Sequence, residues 1–547
     1  MDASIVIISL PAIFRGIGLD PLAAGNIGYL LWMILGYLLV SAVLVVVLGR
    51  LGDMFGRVRI YNLGFLVFAF ASVALSLDPF RAGAGALWLI LWRVVQAFGG
   101  SMLTANSAAI LTDAFPARQR GTALGINQIT ALAGQFLGLL AGGLLATVDW
   151  RAVFWVSVPV SVAGTVWSYL SLRETATGGR GRVDWLGNIT FATGAGILLA
   201  GITYGIQPYG GHPTGWTNPW VLSGLIGGVL LLLVFCVVET RVAEPMFRLS
   251  LFRVRAFAAG NLAALLTAIA RGGLQFMLII WLQGIWLPLH GYDFEDTPLW
   301  AGIFMLPLTL GFLMAGPVSG YLSDRFGARL FSTAGLLVVA ASFLGLLALP
   351  VDFAYGPFAG LLFLNGLGQG MFSSPNTSSV MGSVPPRYRG VASGMRATFQ
   401  NSGTALSIGV FFSLMVSGLA ATMPSTLGSG LTAHGVPPAT AHEAASLPPV
   451  STLFATFLGN NPIAHLLGTG GTLDHLTAAQ RATLTGHTFF PSLVAGPFHH
   501  GLSIVFGVAA GMALVSALAS ALRGGHEPAD GDPAKDTPRA YAREGQA

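Results

Sequence analysis

The stretch GRLGDMFGRVR, residues 49–59, returns as GYLSDRFGARL at 320–330, an offset of 271 that matches Gly49 to Gly320, Leu51 to Leu322, Asp53 to Asp324, Phe55 to Phe326 and Gly56 to Gly327. A second pair, FPARQRGTALG at 115–125 and VPPRYRGVASG at 384–394, repeats at an offset of 269. Two independent matches at nearly one offset mean that one unit is present twice.

Around these motifs the chain is apolar. Of its 547 residues 54% are hydrophobic and 9% charged, against the roughly one quarter charged that soluble domains carry. Fourteen hydrophobic segments are read, near residues 1–14, 26–48, 60–77, 84–112, 121–146, 151–172, 184–206, 218–238, 256–287, 298–322, 330–350, 356–382, 392–419 and 499–522. Most are long enough for a helix to cross a hydrocarbon core of roughly 30 Å. The 73 glycines fit helices packed closely in lipid. A net charge of +5 does not point to nucleic acid, because the basic residues lie in short loops rather than on one soluble face. The single Cys236, inside an apolar run, excludes an intrachain disulfide or a cysteine metal cluster.

The loops after segments 2, 4, 6, 8, 10 and 12 hold sixteen Arg and no Lys, whereas the opposite loops hold Arg15, Arg81, Arg151 and Arg481. The first set is therefore expected on the cytoplasmic side of the cell inner (plasma) membrane, with both termini cytoplasmic. A helix from Met1 to Phe14 rises only about 21 Å, so the sequence is expected to lack the first half of its first helix. No cleavable signal peptide is read.

The repeat aligns segments 1–6 with 9–14. It predicts an N-terminal six-helix bundle over 1–172, two inserted helices over 184–238, a linker over 239–255 and a C-terminal six-helix bundle over 256–522. An outer-face loop over 420–498 interrupts the second bundle, and a disordered tail over 523–547 follows it. A parallel duplication of this kind places a transport site at the interface of the halves, near the bilayer midplane. The outer loop holds His434, His442, His465, His475 and His487, but their spacing gives neither an i, i+4 pair nor an HExxH helix, and no metal is expected.

The motif copies read as a conformational latch formed by Gly49, Asp53, Gly56 and Arg57 with Gly320, Asp324, Arg325 and Gly327. The glycines permit a tight turn, the Asp faces a helix N-terminus or an Arg of the other half, and Arg396 is the expected partner of Asp53. The following Arg is expected to hold lipid phosphate or a helix C-terminus. A plainer reading, that these charges only set topology, leaves the paired glycines unexplained.

These residues resemble the major facilitator superfamily, and within it the 14-spanner drug:proton antiporter family, over nearly the whole chain. GRLGDMFGR resembles the family's loop motif after helix 2, and Arg93-Val-Val-Gln96-Ala-Phe-Gly99-Gly100 its helix 4 motif R-x-x-Q-G-x-G. ASIVIISLP after Asp2 resembles the second half of family helix 1. DWRAVFWVSVP (149–159), VDWLG (183–187) and EPMFRLSLFRVRAF (244–257) resemble further family stretches. Ala97 and Ala105 depart from the expected Gly and Pro. The antiporter motif G-P-x-x-G-G occurs as Gly138-Leu139-Leu140-Ala141-Gly142-Gly143, without the proline that would bend helix 5.

The resemblance implies an all-α membrane protein of two six-helix bundles plus two inserted helices, fourteen transmembrane helices with the first truncated. It also implies that helices 1, 4, 9 and 12 line one cavity, so that Asp2, Arg93 and Arg271, the deepest charges, face a common space. Repeat matching sets Arg93 against Phe363 and Gly100 against Gly370, so the fold itself requires no cation there. Intramembrane charges are functional candidates, and Asp2 with Arg93 is read as the proton-coupling pair. Trp32, Met33, Gln96, Asn106, Gln128, Gln275, Met277, Gln283, Asn365, Gln369 and Met371, with Arg271, are expected to give the cavity its polarity and adaptable surface; ordinary helix packing is the alternative for each.

The function expected is a proton-coupled transporter that exports lipophilic or cationic drugs or antibiotics by antiport. It would need no cofactor beyond the proton gradient, and its partners would be a small-molecule substrate, protons and membrane lipid, as a monomer without nucleic acid. A uniporter or symporter of a metabolite and a nontransporting membrane sensor are the alternatives. No nucleotide loop, nucleophile elbow or metal cluster points to an enzyme.

Overall fold

Both motif copies turn at a glycine held where other residues are strained: Gly56 has φ 106° and Gly327 has φ 90°. In the computed structural model each of the two caps the start of a long helix. Residues 2–19, 26–115, 117–174, 184–242, 245, 247–385, 388–459, 461–469 and 472–523 are described. The side chains of Gln128 and Asp324, together with the expected tail beyond residue 523, lie outside the described residues.

The N-terminal half comprises α1 (Asp2–Ile17), α2 (Asn26–Phe55), α3 (Arg57–Ser76), α4 (Ala82–Ala114), α5 (Ala117–Ala146) and α6 (Ser157–Ser171). The inserted pair is α7 (Trp185–Gly205) and α8 (Pro219–Glu239), and α7 packs against α2. The second half comprises α9 (Arg255–Trp281), α10 (Leu306–Phe326), α11 (Ala328–Leu347), α12 (Tyr355–Gly382), α13 (Arg389–Ala433) and α14 (Phe489–Ala521). A π-turn, Leu282–Trp286, extends α9, and a short helix, Thr297–Phe304, leads into α10. Eleven of the described helices are long and apolar enough to cross a membrane. Trp167, Leu170 and Trp220 are exposed by 75%, 82% and 84%, which suits a surface solvated by lipid rather than water.

The repeat is structural as well as sequential. Helices α3 and α4 meet at Gly64 and Gly99, where a Cβ on Gly64 would lie 3.0 Å from the Gly99 carbonyl oxygen. Helices α11 and α12 meet the same way at Gly335 and Gly368, with a corresponding distance of 2.5 Å. Small residues let backbones approach in lipid, where dispersion rather than the hydrophobic effect holds helices together. These contacts correct the alignment of α4 with α12 by one residue. The offset falls from 271 at Gly64–Gly335 to 269 at Gly99–Gly368, so Arg93 matches Leu362 rather than Phe363, and Gly100 matches Gln369 rather than Gly370. The second half still has no cation at that position.

The greatest departure from expectation is the outer loop. Helix α13 does not end near 419 but runs to Ala433, because Leu419, Met423, Leu427 and Leu431 continue one buried stripe at helical spacing among Ser, Thr and Gly. Short helices Pro438–Ala445, Pro449–Phe457, Pro462–Thr469 and Ala478–Thr485 follow. α14 begins at Phe489, ahead of the expected 499. Every residue of Pro449–Phe457 is buried, and Phe454 stacks on Phe412 with centroids 5.1 Å apart. The segment is a packed cap on the face opposite the motif loops.

Candidate functional site

Arg93 lies on α4 and is 2% exposed. Its Nη1 donates to Asp2 Oδ2 at 2.5 Å and to Gln96 Oε1 at 2.7 Å. The Gln96 amide nitrogen then donates to the other Asp2 oxygen at 3.1 Å and to Ser72 Oγ at 2.9 Å. Ser72 in turn donates to the Phe68 carbonyl at 2.8 Å. The guanidinium lies over the ring of Tyr37, 4.3 Å from its centroid. Four helices, α1 to α4, thus supply one buried network, and the cation is neutralised by a carboxylate at charge-assisted distance.

The repeat shows what makes room for it. In the second half, α10 and α12 close backbone to backbone: a Cβ on Gly366 would overlap the Leu308 carbonyl oxygen, and one on Gly370 would lie 2.7 Å from that of Phe312. By the offsets above, Tyr37 occupies the position of Leu308 and Ala97 that of Gly366. A Cβ on Gly100 would meet the Tyr37 hydroxyl at 2.7 Å rather than a backbone. In the first half, then, a tyrosine separates α2 from α4, and the gap holds Arg93. The polar remainder persists in both halves: Asn365 donates to Ser342 at 2.8 Å, as Gln96 does to Ser72.

Arg271 does not share that space. It lines a cavity between the halves with Gln135, Gln275, Met305, Phe312 and Gln369, and Arg93 is not among the residues of that wall. The expected single vestibule for the three deepest charges is therefore corrected to two sites. Arg271 Nη2 donates to Gln135 Oε1 at 2.8 Å, and Gln135 Nε2 donates to Gln275 Oε1 at 2.8 Å. Gln135 was not anticipated; its only sequence signal is a lone amide within an apolar run of α5.

Of the other residues expected around the cavity, most serve helix packing. Trp32 faces Tyr204 of α7 at 6.1 Å. Met33 and Met277 are fully buried in the core. Asn106 donates to the Met102 and Leu48 carbonyls and fills the space left by Gly52. Met371 packs on Gly335. Gln283, on the π-turn, donates to the Ile8 carbonyl at 3.2 Å and so ties α9 to α1. Asn365 accepts from Gln369 at 2.9 Å.

The latch also differs from its expected form. Asp53 pairs with Arg57, whose Nε donates to it at 2.8 Å, and Arg57 Nη1 reaches Asp113 at 2.6 Å. No ion pair joins Asp53 to Arg396, which contacts Gln400 on its own helix at 3.4 Å. The charge at the α3 N-terminus belongs instead to Glu174, which accepts from the backbone N–H groups of Arg57, Val58 and Arg59 at 3.1 to 3.3 Å. A Cβ on Gly56 would lie 2.5 Å from Glu174 Oε2. A Cβ on Gly327, by contrast, would meet open space, so only its φ demands glycine. Gly49 and Gly320 occupy equivalent contacts, against Ala105 and Ser374. Arg325 lies over the Tyr321 ring at 4.9 Å.

At the capped face the proline-less glycine motif brings backbones together. A Cβ on Gly142 would strike Ile5 and Ile8 of α1, and one on Gly143 would lie 2.6 Å from Leu299 Cα of the second half. Ser9 also donates to the Gly142 carbonyl at 2.8 Å. Gly138 is buried on the same helix.

A duplicated helical bundle clad for lipid, with its deep charges turned inward, is the architecture of a secondary transporter rather than an enzyme. The model of the Major Facilitator Superfamily matches residues 1–187 and 181–408, and the chain belongs to that superfamily. It is 29% identical over 425 residues to the tetracenomycin C resistance and export protein of Streptomyces glaucescens, covering 78% of this chain and 74% of that protein. It is 30% identical to the methyl viologen resistance protein SmvA of Salmonella typhimurium (80% and 83% covered) and 27% identical to the riboflavin transporter RibZ of Clostridioides difficile (77% and 86%). Among solved structures, an inward-facing bacterial homologue of the human lysosomal transporter Spinster shares the fold, with a TM-score of 0.51 at 18% identity over 95% of each chain.

Proposed function

We propose that this transporter exports lipophilic drugs or antibiotics in exchange for protons, with Asp2 accepting the proton and Arg93 and Gln96 positioning it. The observation that carries the reading is the closed set of hydrogen bonds around Asp2. Both carboxylate oxygens accept, one from Arg93 and one from Gln96. A proton on Asp2 takes away its charge and one lone pair, so the carboxyl no longer holds both donors as a carboxylate does and Arg93 loses its counter-charge. Protonation therefore releases α1 from α4 or forces Gln96 to turn, and either change loosens the bundle that must move for access to alternate.

Drug export is supported by the tetracenomycin C resistance and export protein and the methyl viologen resistance protein among the relatives, and the arginine-rich loops support an inner (plasma) membrane orientation with both termini cytoplasmic. A second reading, uniport or symport of a metabolite, is favoured by the riboflavin transporter among the relatives and by the motif glycines lacking their proline. The test is efflux of a panel of lipophilic dyes from proteoliposomes with and without a pH gradient. Antiport requires efflux that rises with the gradient; dye movement indifferent to it favours the second reading.

A further inference from the structure

We propose that the central cavity selects lipophilic molecules bearing an oxyanion, such as a carboxylate or an acidic phenolate, and that Arg271 receives that group. The inference deepens the exporter reading and rests on it for the cavity's being the substrate site.

Two deep arginines face different fates. Arg93 is neutralised by Asp2, which is buried at the first residue of α1; the other described acids lie in loops or near helix ends. Among the described residues no carboxylate pairs with Arg271. Its one protein acceptor among the described residues is Gln135 Oε1, and the Gln135 amide nitrogen is spent on Gln275. The unused donors of Arg271 and the amide nitrogen of Gln275 are then offered to the cavity. Gln369, beside them, already donates to Asn365. The polar wall, which Thr309 joins, is donor-rich and positive, and the rest is apolar, with Phe312 and Met305.

An unneutralised guanidinium in a low-dielectric site is costly, and such a charge within a membrane bundle marks a ligand path. Its planar fork matches two oxygens of one anionic group. A permanent cation finds no counter-charge here and is repelled. On this proposal the favoured cargo is anionic rather than cationic. Gln135 belongs to α5 and Arg271 to α9, so their hydrogen bond also spans the two halves. An arriving oxyanion competes for Arg271 and weakens that tie, which couples binding to movement.

The experiment uses the full chain in nanodiscs and two xanthene dyes of opposite charge, anionic fluorescein and cationic rhodamine 6G, titrated by fluorescence anisotropy. Fluorescein is expected to bind about tenfold or more tightly than rhodamine 6G. Arg271→Gln is expected to remove that preference, and Arg271→Lys to keep most of it. Gln275→Glu, which supplies a carboxylate beside Arg271 without removing the cation, is expected to weaken fluorescein by about tenfold and favour rhodamine 6G. The proposal is overturned if wild type does not prefer fluorescein, including the case where neither dye binds, or if the preference survives both Arg271→Gln and Gln275→Glu. Transport is read separately. An Arg271-dependent anion preference in a protein that moves neither dye across vesicles upholds the site and rejects the exporter. Proton-driven efflux of rhodamine 6G without any role for Arg271 does the reverse.

Discussion

Asp2 of α1 and Arg93 of α4 meet at 2.5 Å inside the N-terminal bundle, the carboxylate 8% and the guanidinium 2% exposed. Removing one partner leaves the other charge buried and alone, which typically costs about 3–5 kcal/mol. Arg93→Met is expected to lower thermal stability sharply in detergent. The double variant Asp2→Asn, Arg93→Met is expected to recover part of the loss, because no unpaired charge remains. Additive losses in that cycle would show that the two do not act as a pair.

Arg271 predicts the opposite sign. Its charge has no described carboxylate partner, so Arg271→Met exchanges a poorly solvated cation for an apolar side chain of similar length. Thermal stability is expected to hold or to rise by roughly 1 kcal/mol. A loss comparable with that of Arg93→Met would make Arg271 a structural residue.

At the motif face, Glu174 accepts three backbone N–H groups at the start of α3. Glu174→Gln retains an acceptor but loses the charge at the helix N-terminus, and a loss of about 0.5–1 kcal/mol is expected in denaturant unfolding. Gly56→Ala adds a strained φ and a methyl in the space of Glu174 Oε2, so it is expected to cost more than Gly327→Ala, which adds the strain alone. Equal effects would mean that Glu174 does not occupy that site in the membrane.

At the capped face, Gly143 lets α5 lie against the backbone at Leu299. Gly143→Leu is expected to hold that face apart. In a Cys236→Ala background, Leu299→Cys should then react several-fold faster with a water-soluble maleimide than in the presence of Gly143. An unchanged rate would mean that the contact does not gate the face.

Much of this was legible in the sequence because periodic apolar runs and a repeat at nearly constant offset survive without any knowledge of packing. The pairing of Asp2 with Arg93 was expected from the scarcity of charge in the apolar runs together with the family resemblance, which set both on cavity-lining helices; Gln96 was expected only as a cavity residue. Three features were hidden for physical reasons. Met423, Leu427 and Leu431 are a buried stripe diluted by Ser, Thr and Gly, so hydropathy alone ended α13 too early. Glu174 reaches the α3 N-terminus from a loop more than a hundred residues away, which no local pattern records. The space that holds Arg93 reflects Tyr37 standing where the second half has a backbone contact, and that difference is visible only once the repeats are superposed.

The central claim is that the proton acts through Asp2. The direct measurement is dye transport by Asp2→Asn in proteoliposomes, scored both as pH-gradient-driven efflux and as exchange of labelled for unlabelled dye at equal pH. The account predicts that exchange persists while the pH gradient no longer drives net efflux. Gradient-driven efflux at the wild-type rate in a folded Asp2→Asn protein would contradict it.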